Sequence, residues 1–424
     1  MSCKLKYISL AQALEYVKQI SSLRGISRKV PLNEALGEVL AEDVVSDADF
    51  PPRDVSHFDG YAIKSIETKN ASPNDPAEFK LVAKIFPGED RKLSIRNGEA
   101  AYVATGSYLP DGADSVAPVE VTRLEGHKLL VFKKIKMGEH VIARGSDVSK
   151  GEIVLRKGRM IKVQDLVLLG RIHKWTIKTF RRPSISVVSV GDELTENIRE
   201  VEQGKLYDTH KVFILRLIEL FGGTPKDLGI VPDEAQEILK AIKNGLEKSD
   251  IVVTIGSSSK GEKDHLPRII GSMSNAKFLF RGVRIQPGRM TGLAIVKEKP
   301  LVMLPGNIQS TFAGAYFVLQ PLIRYMMGLP PFIFSFDIKA KLLNEIDFRP
   351  YVLFQKIRFI KLRKAEKEFY AEPLTSESWL VNAMVKANGI ILVPEGIKKL
   401  SKGEEVIVKI VPNIFEPETY QQEF

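Results

Sequence analysis

Residues 184–194, Ser-Ile-Ser-Val-Val-Ser-Val-Gly-Asp-Glu-Leu, carry the pattern that decides the fold. The first seven are rich in β-branched side chains and do not alternate with strongly polar ones, the signature of a strand covered on both faces. The run stops on a glycine and two acids. Downstream the same rhythm repeats. An amphipathic helix is expected over 208–221, closed by Gly222-Gly223, then a strand over 226–231 and a helix over 233–246. Strands follow at 250–255 and 300–304, and a long helix at 308–327. Continuously apolar strands separated by helices of this length predict a doubly wound parallel α/β domain, about 180–328.

Upstream, Ser9 and Gln12 form a capping-box pattern ahead of a helix over 10–20, and a second short helix is expected over 33–44. Short alternating runs then break at Pro51-Pro52, Asn97-Gly98, Asp111-Gly112 and Lys150-Gly151, which reads as a β-rich domain. Beyond Leu329-Pro330-Pro331 the pattern is again strand-like, at 335–342, 351–362, 368–371, 389–393 and 404–411, and predicts a small terminal barrel.

Composition excludes several classes. With 424 residues, 44% hydrophobic and 27% charged, the chain is a globular protein of several domains. One cysteine, Cys3, precludes an intramolecular disulfide or a cysteine-built zinc site and fits a reducing cytoplasm. No apolar run is long enough to cross a bilayer, so no membrane association is expected. The net charge of +10 comes from 62 basic against 52 acidic residues that are interleaved, which argues against nucleic acid; it would help attract oxyanion ligands, but a thermophile's surface is the stronger reading. Walker, dinucleotide-fingerprint, zincin and serine-elbow spacings are all missing.

Chemistry in an open parallel sheet belongs just past the carboxyl ends of the strands. Four turns qualify: Gly191-Asp192-Glu193, Pro232-Asp233-Glu234, the long 256–264 loop, and Pro305-Gly306-Asn307. Two offer small residues and backbone donors suited to phosphate, while Glu193, Asp233, Glu262 and Asp264 share the rim. Carboxylates gathered this closely repel one another unless a cation sits among them, so phosphate beside carboxylates implies Mg²⁺. The plainer alternative is that Asp233 caps a helix and that Asp192 and Glu193 merely favour a helix N-terminus.

In this order the motifs resemble those of the molybdopterin molybdotransferases, the family of bacterial MoeA and the gephyrin C-terminal domain. They are Pro51-Pro52 with SHFDGYA (56–62), ATGSYLPDGADSVAPVE (104–120), RGSD (144–147), SVGDEL (189–194), LYDTH (206–210), LGIVPD (228–233), the 256–264 loop, QPGR (286–289) and LPGN (304–307). The resemblance spans 35–411. It implies a cytoplasmic homodimer whose subunits have a discontinuous helical linker domain (1–50 and 148–180), a β-rich inserted domain (51–147), a molybdopterin-binding α/β domain (181–328) and a C-terminal β-barrel (335–413). It implies Mg²⁺-dependent insertion of molybdate, or tungstate, into adenylylated molybdopterin with release of AMP, in a cleft shared by two subunits.

Matched motif by motif, the catalytic positions are Asp59, Thr105, Asp147, Glu193, Asp233 and Asp264, with Glu193, Asp233 and Asp264 holding the metal. The cofactor-binding positions are Gly256, Ser257, Ser259, Gly261, Asp208, Pro305, Gly306, Asn307, Arg289 and Ser378. The chain departs from the family in four places. Ser257 and Lys260 alter the glycine loop, Gln286 and Tyr351 stand where cations are usual, and His57-Phe58 precede Asp59. Arg281, Arg284, Arg289, Arg349 and Lys260 are read either as compensating cations or as ordinary surface charges; His57 and Phe58 are read as packing variants. The departures leave two further readings beside the transferase: a paralogue with another oxyanion preference, and a non-catalytic pterin-binding or scaffold protein.

Overall fold

A computed structural model of the chain describes residues 7–22, 26–89, 92–256, 265–349, 351–365, 368–374 and 377–415. It divides into two compact units, Lys29–Thr179 and the described remainder. The chain begins with helix α1 (Leu10–Ser22), opened by the expected capping box: Gln12 N–H donates to Ser9 Oγ at 3.2 Å and Ser9 N–H to Gln12 Oε1 at 3.0 Å.

In the Lys29–Thr179 unit, six strands form one sheet: β1 (Gly60–Ile63), β2 (Ala77–Ile85), β3 (Glu99–Val103), β4 (Ser115–Pro118), β5 (Thr122–Glu125) and β6 (Lys128–Val131). Their order is β4-β1-β3-β2-β6-β5. A second core gathers Val30, Leu40, Val148, Leu155 and Ile161 around helix α2 (Val163–Arg171). The helix expected over 33–44 is not formed; only a 3₁₀ turn covers Leu32–Glu34. Gly37 takes a φ of 76°, and Gly37, Leu40 and Ala41 give their N–H groups to the carbonyls of Ile161, Arg159 and Lys178. Long-range hydrogen bonds have overridden a helix-favouring local sequence.

The second unit holds a six-stranded sheet in the order β8-β7-β9-β13-β12-β10. β7 (Ser184–Val190), β8 (Thr224–Val231), β9 (Ile251–Ile255) and β13 (Lys299–Leu304) are parallel. β10 (Ala276–Arg281) and β12 (Gly292–Val296) extend the sheet antiparallel and were not anticipated. Helix α3 (Thr209–Phe221) starts where Asp208 Oδ1 accepts the Lys211 N–H at 3.1 Å and ends on left-handed Gly222. Helix α4 (Ala235–Lys248) buries the i, i+4, i+8 stripe Ile238, Ile242, Leu246 against Val252 and Leu301. α5 (Leu266–Ser272) completes that face.

The expected long helix is continuous but not uniform. α6 (Ile308–Gly314) widens into a π-turn over Ala315–Leu319 before α7 (Gln320–Met326). Pro321 has no N–H to give to the preceding turn, and the wide turn lies directly before it. The chain then closes a five-stranded barrel of β14 (Phe336–Leu342), β15 (Gln355–Ala365), β16 (Glu368–Leu374), β17 (Gly389–Val393) and β18 (Glu405–Ile410). The ring runs β15-β16-β14-β18-β17 and closes by β17 on β15. One short strand before the barrel, β11 (Ile285–Gln286), pairs in parallel with β15.

Candidate functional site

The turns past the four parallel strands meet on one rim. Gly191 N–H donates to Val231 O at 3.1 Å, Asp233 N–H to Asp192 Oδ1 at 3.0 Å, and Gly256 N–H to Leu304 O at 3.1 Å. Asp192 therefore ties the first turn to the second. Gly256 has a φ of 91°, and a Cβ there would lie 2.6 Å from Val190 O, so only glycine fits. Glu193 folds its carboxylate back over Gly191, where a Cβ would meet Glu193 Oε2 at 2.6 Å. Asp233 is not the helix cap: α4 begins at Ala235, after Glu234.

These turns form one side of a cavity of about 540 Å³. Glu193, Asp233, Gly256, Pro305, Gly306 and Asn307 line that side. Facing them are the 286–290 turn, with Gln286 and Arg289, and the barrel's Tyr351, Glu377 and Ser378. Asn307 Nδ2 donates to Ser378 Oγ at 3.2 Å, and Gln309 N–H to Ser378 O at 3.0 Å, so the start of α6 holds the barrel loop in place. The described lining carries three carboxylates, of Glu193, Asp233 and Glu377, against the single guanidinium of Arg289. Three of the other expected cations, all among the described residues, are engaged elsewhere. Arg284 pairs with Glu395 at 3.1 Å, Arg349 with Asp347, and Arg281 lies over Phe278. Asp347 is held at a pKa of about 2 by the Arg349 guanidinium and N–H.

Three family models match the chain in order: the MoeA N-terminal region (domains I and II) over 8–172, a probable molybdopterin binding domain over 186–325, and the MoeA C-terminal region (domain IV) over 354–411. The chain is 31% identical over 397 residues to the molybdopterin molybdenumtransferase of Staphylococcus aureus (strain MSSA476), covering 92% of each. It is 29% identical over 420 residues to that of Staphylococcus epidermidis (strain ATCC 12228), covering 97% of each. The chain belongs to the molybdopterin molybdenumtransferase family. The crystal structure of the molybdopterin biosynthesis MoeA protein from Pyrococcus horikosii superposes with a TM-score of 0.83 at 27% identity, over 96% of this chain and 99% of that one. The protein is thus a transferase of molybdenum cofactor biosynthesis, with the MoeA-type fold expected of it.

The remaining family-matched positions fall into three groups. Asp59, Thr105 and Asp147 belong to the Lys29–Thr179 unit. Asp59 Oδ1 accepts the Thr105 N–H at 2.7 Å and its hydroxyl at 2.9 Å, and these two donors lower the Asp59 pKa. Asp147 lies 3.7 Å from the Arg171 guanidinium. Phe58 lies edge to face against His57 and His140, at 4.9 and 4.7 Å between centroids, and is 41% exposed.

Asp208 is not part of the cavity wall; it is buried at the start of α3. Its Oδ2, with Ser189 Oγ and His210 Nε2, has no hydrogen-bond partner among the described residues, and burial pushes the His210 pKa down. Ser257, Ser259, Gly261 and Asp264, with Glu262 and Lys260, lie outside the described residues. Among those described, no three His, Cys, Asp or Glu side chains are grouped closely enough to hold a metal ion. Glu377, Ser310 and Met290 line the cavity without having been expected there. Glu377 directly precedes Ser378, the one local signal that could have found it. No helix among the described residues is long and apolar enough to cross a membrane.

Proposed function

We propose that this chain inserts molybdate, or tungstate, into the dithiolene of adenylylated molybdopterin with Mg²⁺ assistance and release of AMP, acting as a cytoplasmic homodimer. The observation that carries this reading is a cavity in which the carboxylates of Glu193 and Asp233 border the turns of Gly191, Gly256 and Gly306. Gly256 and Gly306 carry no side chains of their own, so a diphosphate can approach their backbone closely. The donor set fits Mg²⁺, which takes one or two carboxylates and completes its shell with phosphate oxygens and water. Glu193 and Asp233 would hold it, with Asp264 as third ligand; bound there, it would neutralise the phosphoryl oxygens as the anhydride breaks.

Arg289 supplies the positive charge opposite the acids, while Asn307 and Ser378 offer an amide and a hydroxyl to the oxyanion. Asp59 enters as a carboxylate, since Thr105 hydrogen bonds its charged form. In a homodimer, Asp59, Thr105 and Asp147 complete the site from the second copy. The test is AMP release by purified protein given adenylylated molybdopterin, Mg²⁺ and oxyanion. Release that requires all three supports the proposal, and no release under any oxyanion overturns it.

A further inference from the structure

Tyr351 is the one aromatic side chain among the described residues of the cavity wall, and its ring is held by a chain of packed groups. Its N–H donates to Phe348 O at 2.7 Å and its carbonyl accepts the Phe354 N–H at 3.1 Å, which makes a tight turn. The ring packs edge-on to Phe354 at 5.7 Å and 84°, and Phe354 packs in turn on Tyr7 at 5.7 Å and 64°. Tyr7 is itself fixed, with its hydroxyl 3.8 Å from the Met290 sulfur and its ring over Gly282, where a Cβ would come within 2.7 Å. The pairing of Ile285 with Gln355 and of Gln286 with Lys356 locks this turn to the 286–290 turn.

The guanidinium of Arg289 lies 6.0 Å from the centre of the Tyr351 ring, the outer limit for a cation–π contact. Its contact with the ring is therefore a loose one, which an entering planar group would replace. The same wall carries the Gln286 amide, which both donates and accepts. Among the described residues, the wall sets one cation against three carboxylates, less positive charge than a multi-cation anion pocket. A fixed ring face, an amide and a planar guanidinium instead suit a flat heterocycle with polar edges.

We infer that Tyr351 is the stacking wall for a planar heterocycle of the substrate, whose polar edge Gln286 and Arg289 bind. The inference rests on the cavity being the adenylylated molybdopterin site, since that substrate carries two such rings, pterin and adenine. The test is calorimetric titration of the full-length protein with AMP, with 6-hydroxymethylpterin and, as a ringless probe, with magnesium pyrophosphate. Tyr351→Leu should weaken one of the two ring probes about tenfold or more, and the probe that suffers identifies the ring. Tyr351→Phe should stay within about twofold of the parent, because the face and not the hydroxyl is used. Pyrophosphate should bind all variants alike. If Tyr351→Leu binds both ring probes as the parent does, or if Tyr351→Arg tightens pyrophosphate and both rings together, the stacking role is overturned while the substrate reading stands. If the parent protein binds none of the probes, the substrate reading fails and takes the inference with it.

Discussion

At the residue scale the decisive groups are the two carboxylates on the rim. Glu193→Gln and Asp233→Asn each remove a negative charge with little change of volume. Each is expected to lower AMP release by about 100-fold or more while leaving the circular dichroism spectrum unchanged, with a weakened response to added Mg²⁺ as the companion measurement. Gly256→Ala should fail differently. Its Cβ would meet the Val190 carbonyl in a left-handed backbone, so thermal denaturation should show about 1–3 kcal/mol lost together with activity. Glu193 and Gly256 were legible because they follow strands rich in β-branched residues, and Asp233 because it follows the Ile230-Val231 strand end and a proline. Tyr351 and Glu377 were not legible as wall residues, because they reach the cavity from a barrel strand's turn and a loop that no periodicity connects to the sheet.

At the element scale, the run from Ile308 to Met326 is the buried spine of its unit. Phe312 is fully buried on it, ringed by Phe213, Tyr316, Phe359 and Phe415. Phe312→Ala should cost about 3–5 kcal/mol in a denaturant titration. The entry of β7 depends on Asp250. Burial pushes its pKa up, but the Arg181 guanidinium and the Ser184 N–H and hydroxyl outweigh that and hold it below the ordinary value.

A carboxylate with a lowered folded pKa stabilises the fold at pH above its unfolded value of about 4, and that contribution is lost as pH falls through the folded value. Asp250→Asn should thus be less stable than the parent by about 1–3 kcal/mol at neutral pH, and the gap should close in acid. Sequence read β7, β9 and β13 nearly to the residue, because burial on both faces demands apolar runs; β8, an edge strand, is only partly buried and carries Lys226 and Asp227. Sequence missed β10 and β12, whose charged and glycine-bearing ends mask the pattern, and it took 33–44 for a helix because its Leu, Ala and Glu content favours one.

At the scale of the whole molecule, the proposed sharing of the site between two copies makes a prediction that neither half makes alone. Asp59→Asn and Glu193→Gln proteins, each inactive, should recover about a quarter of parental turnover after being unfolded together and refolded as a mixture. Half the dimers are then mixed and each has one intact site; no recovery would place all the acids in one subunit's site. Light scattering on the same samples checks the dimer. The pairing of Ile285 and Gln286 with the barrel strand has a consequence for how such a chain could have been assembled. A free-standing α/β ancestor cut off before the barrel would present that backbone edge bare to solvent and lack Tyr351, Glu377 and Ser378 from its binding wall. The junction therefore does more than tether two modules. It encloses a compartment that neither module lines alone, and swapping one module for a distant relative's should give folded but unreactive hybrids.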